Sequence, residues 1–551
     1  MNHLLSRAVA CAVLAASLPG VSNAAVDEER HLAELRNTIG NLLEALVQRG
    51  VISKEQAEAM VRDAQSKAKA DADAAVAAAD AEDKADAAAG AVRVPYVPEV
   101  VKEQIRKEVL AEMTPEVTQR AVDEAISNES LANALPEWVR RIRWNGDLRV
   151  RGQGDSFAPD NVTNFYLDIP RVNAAGGITR AGPAALINTT EDRQRLRARL
   201  RLGLETELGY GWTAALRLAT GTLTDPVSTN QTLGNYGGRY TIGVDQAYLR
   251  WTGQSRVGRQ QLAITGGRMP NPWMSTDLIW DQDLMFEGVT ANYRYSISRD
   301  EPYRRNFFAT IGAFPLTEVE INNDDKWLYG GQLGIDWKTA ANTRIRFGAA
   351  YYDFENVAGV RNASNSTLND FTAPAFVQRG NTLYDIRNNP TDPTQDLFAL
   401  ASEFQVLDVE AGIDWMLSER YRMAFTGSYV DNLGYKEVFG PGDFVIRMGS
   451  NDDPRTKGYQ VETAFGRARM NERGAWRVAL SYRYLERDAV LDAFTDSDFR
   501  LGGTDVQGYV FNAEFAFSPR MLARLRYLSG SEIDGPPLGI DVLQLDFNAT
   551  F

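Results

Sequence analysis

Near the end of the chain, Leu543, Leu545, Phe547, Ala549 and Phe551 alternate with Gln544, Asp546, Asn548 and Thr550. Successive side chains of an extended strand point to opposite faces, so this spacing predicts a strand with one greasy face and one polar face. Leu196, Ala198, Leu200, Leu202 and Leu204 alternate in the same way with Arg195, Arg197, Arg199 and Arg201. A soluble sandwich also alternates, so the number of such segments decides. From Arg143 onward there are sixteen, at roughly 143–152, 193–208, 212–221, 241–252, 259–267, 285–295, 307–314, 326–338, 343–354, 404–416, 420–430, 456–466, 475–486, 505–517, 521–529 and 542–551. Most have the ~9–13 residues that a tilted strand needs to cross a bilayer.

The connections alternate in length. Short turns such as 209–211, 339–342 and 518–520 take turns with long loops such as 153–192, 268–284, 355–403 and 487–504. Trp144, Trp212, Trp251, Trp337, Trp415 and Trp476 all fall at the short-turn end of a strand with outward parity. Tryptophan favours a membrane interface because its ring is apolar and its N–H wants water. These features predict an all-β transmembrane barrel of 16 antiparallel strands over 143–551. Closure leaves no unpaired edge in lipid, and a ring this wide leaves a water-filled bore.

Before Arg143 the apolar period is helical. Arg7, the apolar run Ala8–Leu18 and the small residues Ser22-Asn23-Ala24 predict a signal peptide over 1–24. In 25–142, Leu32, Leu35, Ile39, Leu42, Leu43 and Leu46 form one stripe at steps of three and four. Ser53 with Gln56 is a capping box for a second helix. The barrel is therefore expected to follow an α-helical, coiled-coil periplasmic segment that self-associates as a stalk.

Composition narrows the chemistry. Net charge is −14, which excludes a nucleic-acid partner wanting a basic surface. The histidines are His3 and His31 and the one cysteine is Cys11. A lipase or protease site, which needs a His base beside its nucleophile, has no candidate in the barrel, and no cofactor or metal is expected. From residue 143 there are 39 Arg and 4 Lys. Inward parity collects Arg149, Arg151, Arg195, Arg197, Arg199, Arg201, Arg344 and Arg346, with acidic partners such as Asp147, Asp336 and Asp414. So many ionised groups need water, and a wet lumen supplies it. Loop 268–284 carries Pro270, Pro272 and Trp273, then Asp277, Asp281 and Asp283. Folded inward, it would set an acidic face against a basic wall and narrow the pore, with loops 153–192 and 355–403 as competitors for that role.

The barrel resembles the Gram-negative porins, which have sixteen strands and a terminal Phe. More narrowly, the mature chain is similar to the "putative porin" family, whose members have a helical segment ahead of the barrel. Two stretches bear the likeness: Leu46-Val47-Gln48-Arg49-Gly50-Val51-Ile52-Ser53-Lys54-Glu55-Gln56-Ala57, and Asn271-Pro272-Trp273-Met274-Ser275-Thr276-Asp277-Leu278-Ile279-Trp280-Asp281-Gln282-Asp283-Leu284. The resemblance implies that the second stretch forms the constriction, with Asp277, Asp281 and Asp283 at the eyelet. It further implies a homotrimer in a membrane of lipid and lipopolysaccharide. Insertion would be by the barrel assembly machinery, with Phe547 and Phe551 as the C-terminal signal. The chain departs from the general porins in its 118-residue helical prelude.

The expected function is an outer-membrane porin, a channel for passive diffusion of small hydrophilic solutes and ions. The rival is a structural tether, in which 25–142 reaches peptidoglycan or a partner and the barrel serves as anchor. An energy-coupled transporter would want about 22 strands and a globular plug. The sequence leaves solute identity and ion preference open.

Overall fold

The structure is a computed structural model. It describes residues 141–551 apart from 256–257, 299–303, 321, 341, 448 and 450–452. The expected signal peptide, the helical stalk and its peptidoglycan contact lie outside the described residues.

One antiparallel sheet dominates. It has seventeen strands, of which Gln231–Thr232 is a two-residue appendage to the side of the ring, leaving sixteen long ones. In chain order they are β1 (Ile142–Phe157), β2 (Arg193–Gly209), β3 (Trp212–Thr220), β4 (Ile242–Gln254), β5 (Gln260–Pro270), β6 (Met285–Ser298), β7 (Arg305–Thr317) and β8 (Lys326–Ala340), then β9 (Thr343–Glu355), β10 (Phe404–Met416), β11 (Tyr421–Asn432), β12 (Lys457–Arg467), β13 (Trp476–Leu485), β14 (Val506–Ser518), β15 (Met521–Glu532) and β16 (Ile540–Thr550). Each long strand pairs with its sequence neighbours. The ring closes where β1 pairs β16, with Val150 opposite Phe547 and Arg151 opposite Asp546. Gly146 and Phe551 complete the seam, each donating its N–H to the other's carbonyl, at 2.9 and 3.0 Å. The sequence pattern placed every one of these strands. Its main error is at the long-loop end, where β1 runs on to Phe157 rather than stopping at 152.

Burial is inverted relative to a soluble protein. On β1, Trp144, Leu148 and Val150 are exposed while Arg149, Arg151, Gln153 and Asp155 are buried. On β16, Leu543, Leu545 and Phe547 are about half exposed while Gln544 and Asp546 are 0% exposed. An apolar outside and a polar inside suit a wall that separates lipid from water. The aromatics at the short-turn end make lateral contacts around this outer face. Phe307 packs edge-on to Trp337, Trp415 to Phe425, and Phe465 to Trp476.

The long loops fold back on the barrel. The β1–β2 loop forms a short helix, α1 (Ile169–Ala175), whose first turn Asp168 caps by accepting from the Arg171 N–H. The β9–β10 loop pairs Leu383–Asp385 with Phe398–Leu400, and Val445–Ile446 of the β11–β12 loop joins them as a third strand.

Candidate functional site

The β5–β6 loop lies inside the barrel. Pro270 ends β5, and Asn271 makes the turn, its side-chain oxygen accepting from the Trp273 N–H at 2.9 Å. Gln332 of β8 then brackets Met274, accepting its N–H at 2.9 Å and donating to its carbonyl at 2.7 Å. The Thr276 and Ser428 hydroxyls meet at 2.8 Å, which ties the loop to β11. One face of the loop is apolar and docks on the wall. Trp273 packs edge-on against Phe314 and Tyr352, and Trp280 against Phe286 and Tyr352. Gly330 of β8 leaves the room this needs, since a Cβ there would lie 2.7 Å from the Trp273 ring.

The other face is acidic. Asp277, Asp281 and Asp283 line a cavity of about 620 Å³ together with Arg149, Arg199 and Arg201. Asp283 bonds Arg201, stands 3.6 Å from Arg199, and accepts from the Thr229 N–H and hydroxyl at 3.1 and 2.9 Å. Burial alone would raise the Asp283 pKa, but the Arg201, Arg199 and Arg149 guanidiniums outweigh it and lower it to about 2. Asp281 goes the other way. Burial, then the charges of Asp283 and Asp496, push its carboxyl well above the usual carboxylate range. It accepts backbone N–H bonds from Asp283 at 2.7 Å and Ser497 at 3.0 Å.

Ser497 belongs to a second inward loop, between β13 and β14, that the sequence pattern left as an ordinary long connection. Its Phe494 carbonyl accepts from the Asp281 N–H at 2.8 Å. Its Asp498 bonds Arg151 at 2.8 Å and Arg526 at 3.0 Å. Those two guanidiniums and Arg197 overcome the burial of Asp498 and hold its pKa far below the usual range. The signal available in sequence was the pair Asp496 and Asp498, the same acid-x-acid spacing as Asp281 and Asp283.

The structure brings most of the expected wall together. Arg151 and Arg346 line the same cavity as Arg149, Arg199, Arg201 and the three aspartates. Arg195 and Arg197 line a separate cavity nearer the long-loop end. Arg344 is in neither; it forks onto Asp336 at 2.6 and 2.8 Å, one strand over. Most guanidiniums have carboxylate partners: Arg199 with Asp147 at 2.6 Å, Arg195 with Asp155 at 2.5 Å, and both Arg477 and Arg524 with Glu514 at 2.6 Å. The wall is therefore a network of mixed charge rather than a bare basic surface. Phe547 faces outward and stacks on Phe517 at 6.5 Å, and Phe551 is exposed beside the closing seam. Among the described residues no three His, Cys, Asp or Glu side chains gather as a metal site.

A family model described as "Putative porin" matches residues 36–551. The chain belongs to this family. It is a porin, an outer-membrane channel protein, and the closed ring with its polar lumen is the matching architecture. No protein among the curated sequences matches it. Three solved structures illustrate the range of its structural neighbours. OprB of Pseudomonas putida at high pH has 13% identity and a TM-score of 0.41, over 74% of this chain and 94% of that one. The outer-membrane channel DcaP of Acinetobacter baumannii has 12% identity and a TM-score of 0.35, over 74% and 97%. A loop-deletion mutant of OmpT of Vibrio cholerae has 9% identity and a TM-score of 0.37, over 74% and 99%. The membership rests on the family match, not on these likenesses.

Proposed function

We propose that the β5–β6 loop is the constriction of this porin, and that solutes cross it between the Asp277–Asp281–Asp283 face and the arginines of β1 and β2. The supporting observation is the anchoring of Asp283 by Arg201 and Thr229, which holds an acidic segment against the arginine-rich side of the mixed-charge wall. Opposed rows of fixed charge orient a polar solute and favour it over an apolar one. Charges beyond ~8 Å are screened at physiological salt, so the groups at the narrowest point set ion preference. The chain acts as a non-catalytic diffusion channel in this reading.

The test is the reversal potential under a salt gradient in planar bilayers. Asp277→Asn with Asp281→Asn shifts it toward anions. Burial raises both carboxyls, Asp281 further than Asp277, so Asp277→Asn supplies the larger part of the shift. An unmoved potential removes this loop from the constriction.

The reading extends to a homotrimer set in lipid and lipopolysaccharide and inserted by the barrel assembly machinery, which would read Phe547 and Phe551. Segment 25–142 would then lie on the periplasmic side, toward peptidoglycan. The exposed apolar band supports the lipid contact. The tether reading gains no support from the described residues.

A further inference from the structure

Above the constriction the lumen holds a second cavity, of about 410 Å³. Four loops and the ends of β1 and β2 build it. Val227, Ser497 and Asp498 line both this cavity and the inner one, so they form the partition between the two. Five arginines line the outer cavity, Arg171, Arg193, Arg195, Arg197 and Arg379, against three aspartates, Asp168, Asp225 and Asp498.

Those aspartates already have partners. Asp168 bonds the Arg171 guanidinium at 3.1 Å. Asp225 accepts from the Val227 N–H at 3.1 Å. Asp498 is held by Arg151 and Arg526, and Arg197 reaches it only at 4.0 Å. The other contacts of Arg197 are long and neutral, to Gln153 at 3.4 Å and Ser228 at 3.5 Å, and its buried Nε meets no acceptor among the described residues. Arg379 is similar. It donates to the Leu501 carbonyl, and its buried Nε also meets no acceptor among the described residues. Burial, with Arg500 beside it, lowers the Arg379 pKa to about 10, which still leaves a cation at neutral pH. Buried donors of this kind are costly to leave unmade and favour an arriving acceptor. The remaining lining is mixed: Gln153, Asn188, Ser228, Gln378 and Ser497 are polar, while Phe157, Leu167, Leu186, Phe376 and Leu501 supply an apolar part.

We propose that this outer cavity is a binding site for small organic carboxylates, in which Arg197 and Arg379 hold the carboxylate and the apolar side chains hold the body of the solute. A guanidinium offers a planar fork of donors that matches a carboxylate's two oxygens. The β2 register then offers an onward path. Arg199 and Arg201 follow Arg197 at every second residue, about 7 Å apart, and face the inner cavity beyond the partition. The site thus selects anions before the constriction meets them. This inference rests on the reading of the lumen as the solute path from the long-loop end.

The test is equilibrium binding by calorimetry on the detergent-solubilised full chain, with benzoate, acetate and benzyl alcohol as probes. Benzoate binds once per chain, and its affinity falls by about tenfold or more in Arg197→Gln and in Arg379→Gln, the worth of one charge-assisted hydrogen bond. Arg197→Lys keeps the charge, loses the fork, and shows an intermediate loss. Arg520→Gln, in an exposed turn, binds as the unaltered chain does. Acetate and benzyl alcohol each bind more weakly than benzoate. Because Arg379→Gln also removes the bond to Leu501, circular dichroism and gel mobility establish that each variant remains a barrel. Absent benzoate binding, or an affinity in both glutamine variants unchanged from that of the unaltered chain, overturns the inference. Acetate binding as tightly as benzoate overturns the role of the apolar lining. Bilayer conductance on the same samples separates the two readings. A chain that conducts without binding benzoate sinks this inference alone, and one that binds without conducting sinks the channel reading.

Discussion

Arg151 of the first strand grips Asp546 of the last with two parallel bonds, Nε at 2.7 Å and Nη2 at 3.0 Å, across a separation of 395 positions. Both side chains are buried, and Arg151 also reaches Asp498. The pair lies on the seam where β1 meets β16, so it pins the register that closes the ring. Removing one partner strands the other charge, a loss of about 3–5 kcal/mol for a buried pair. Arg151→Met and Asp546→Asn are each expected to lower the thermal transition of the detergent-solubilised barrel, read by heat-modifiable gel mobility. A transition unchanged in both variants would show that the seam holds without this pair.

The Asp283 carboxylate makes stability depend on acid. Its folded pKa is about 2, below the ordinary carboxylate value, because the arginine wall outweighs burial. A depressed acid contributes stability above its unfolded pKa and loses it as pH falls through the folded one. The difference amounts to about 2 kcal/mol. Asp283→Asn is therefore expected to melt below the unaltered chain at pH 7, with the gap narrowing from about pH 4 toward pH 2. A gap that persists undiminished at pH 2 would contradict the charge origin.

The Thr276–Ser428 contact offers a covalent check on the loop. Their oxygens are 2.8 Å apart, and a disulfide needs only a modest further approach. The chain's one cysteine, Cys11, lies outside the barrel, so the double variant Thr276→Cys, Ser428→Cys has one pair available there. Oxidation is expected to form the bond and leave single-channel conductance the same, since the loop already sits in that position. A large change in conductance on oxidation would mean that the conducting state holds the loop elsewhere.

How much of this was legible beforehand follows from which interactions are local. The strands were readable because lipid on one side and water on the other impose a period of two on each strand separately. Leu545 and Asp546 declare their faces without reference to any distant residue. The inward course of the β5–β6 loop was readable only as an expectation. Its cause is the fit of Trp273 and Trp280 against Phe314, Phe286 and Tyr352, three side chains on three other strands.

The sequence by itself determined the ring, its strand count, its greasy exterior and its charged interior, because alternation is a property of each strand alone. Only the tertiary structure decided which charges meet. Asp498 bridges Arg151 and Arg526, Asp283 takes Arg201, and Arg197 comes no nearer than 4.0 Å to Asp498. Ion pairing depends on approach within a few ångströms between segments tens to hundreds of positions apart, and that distance exists only once the cylinder has closed.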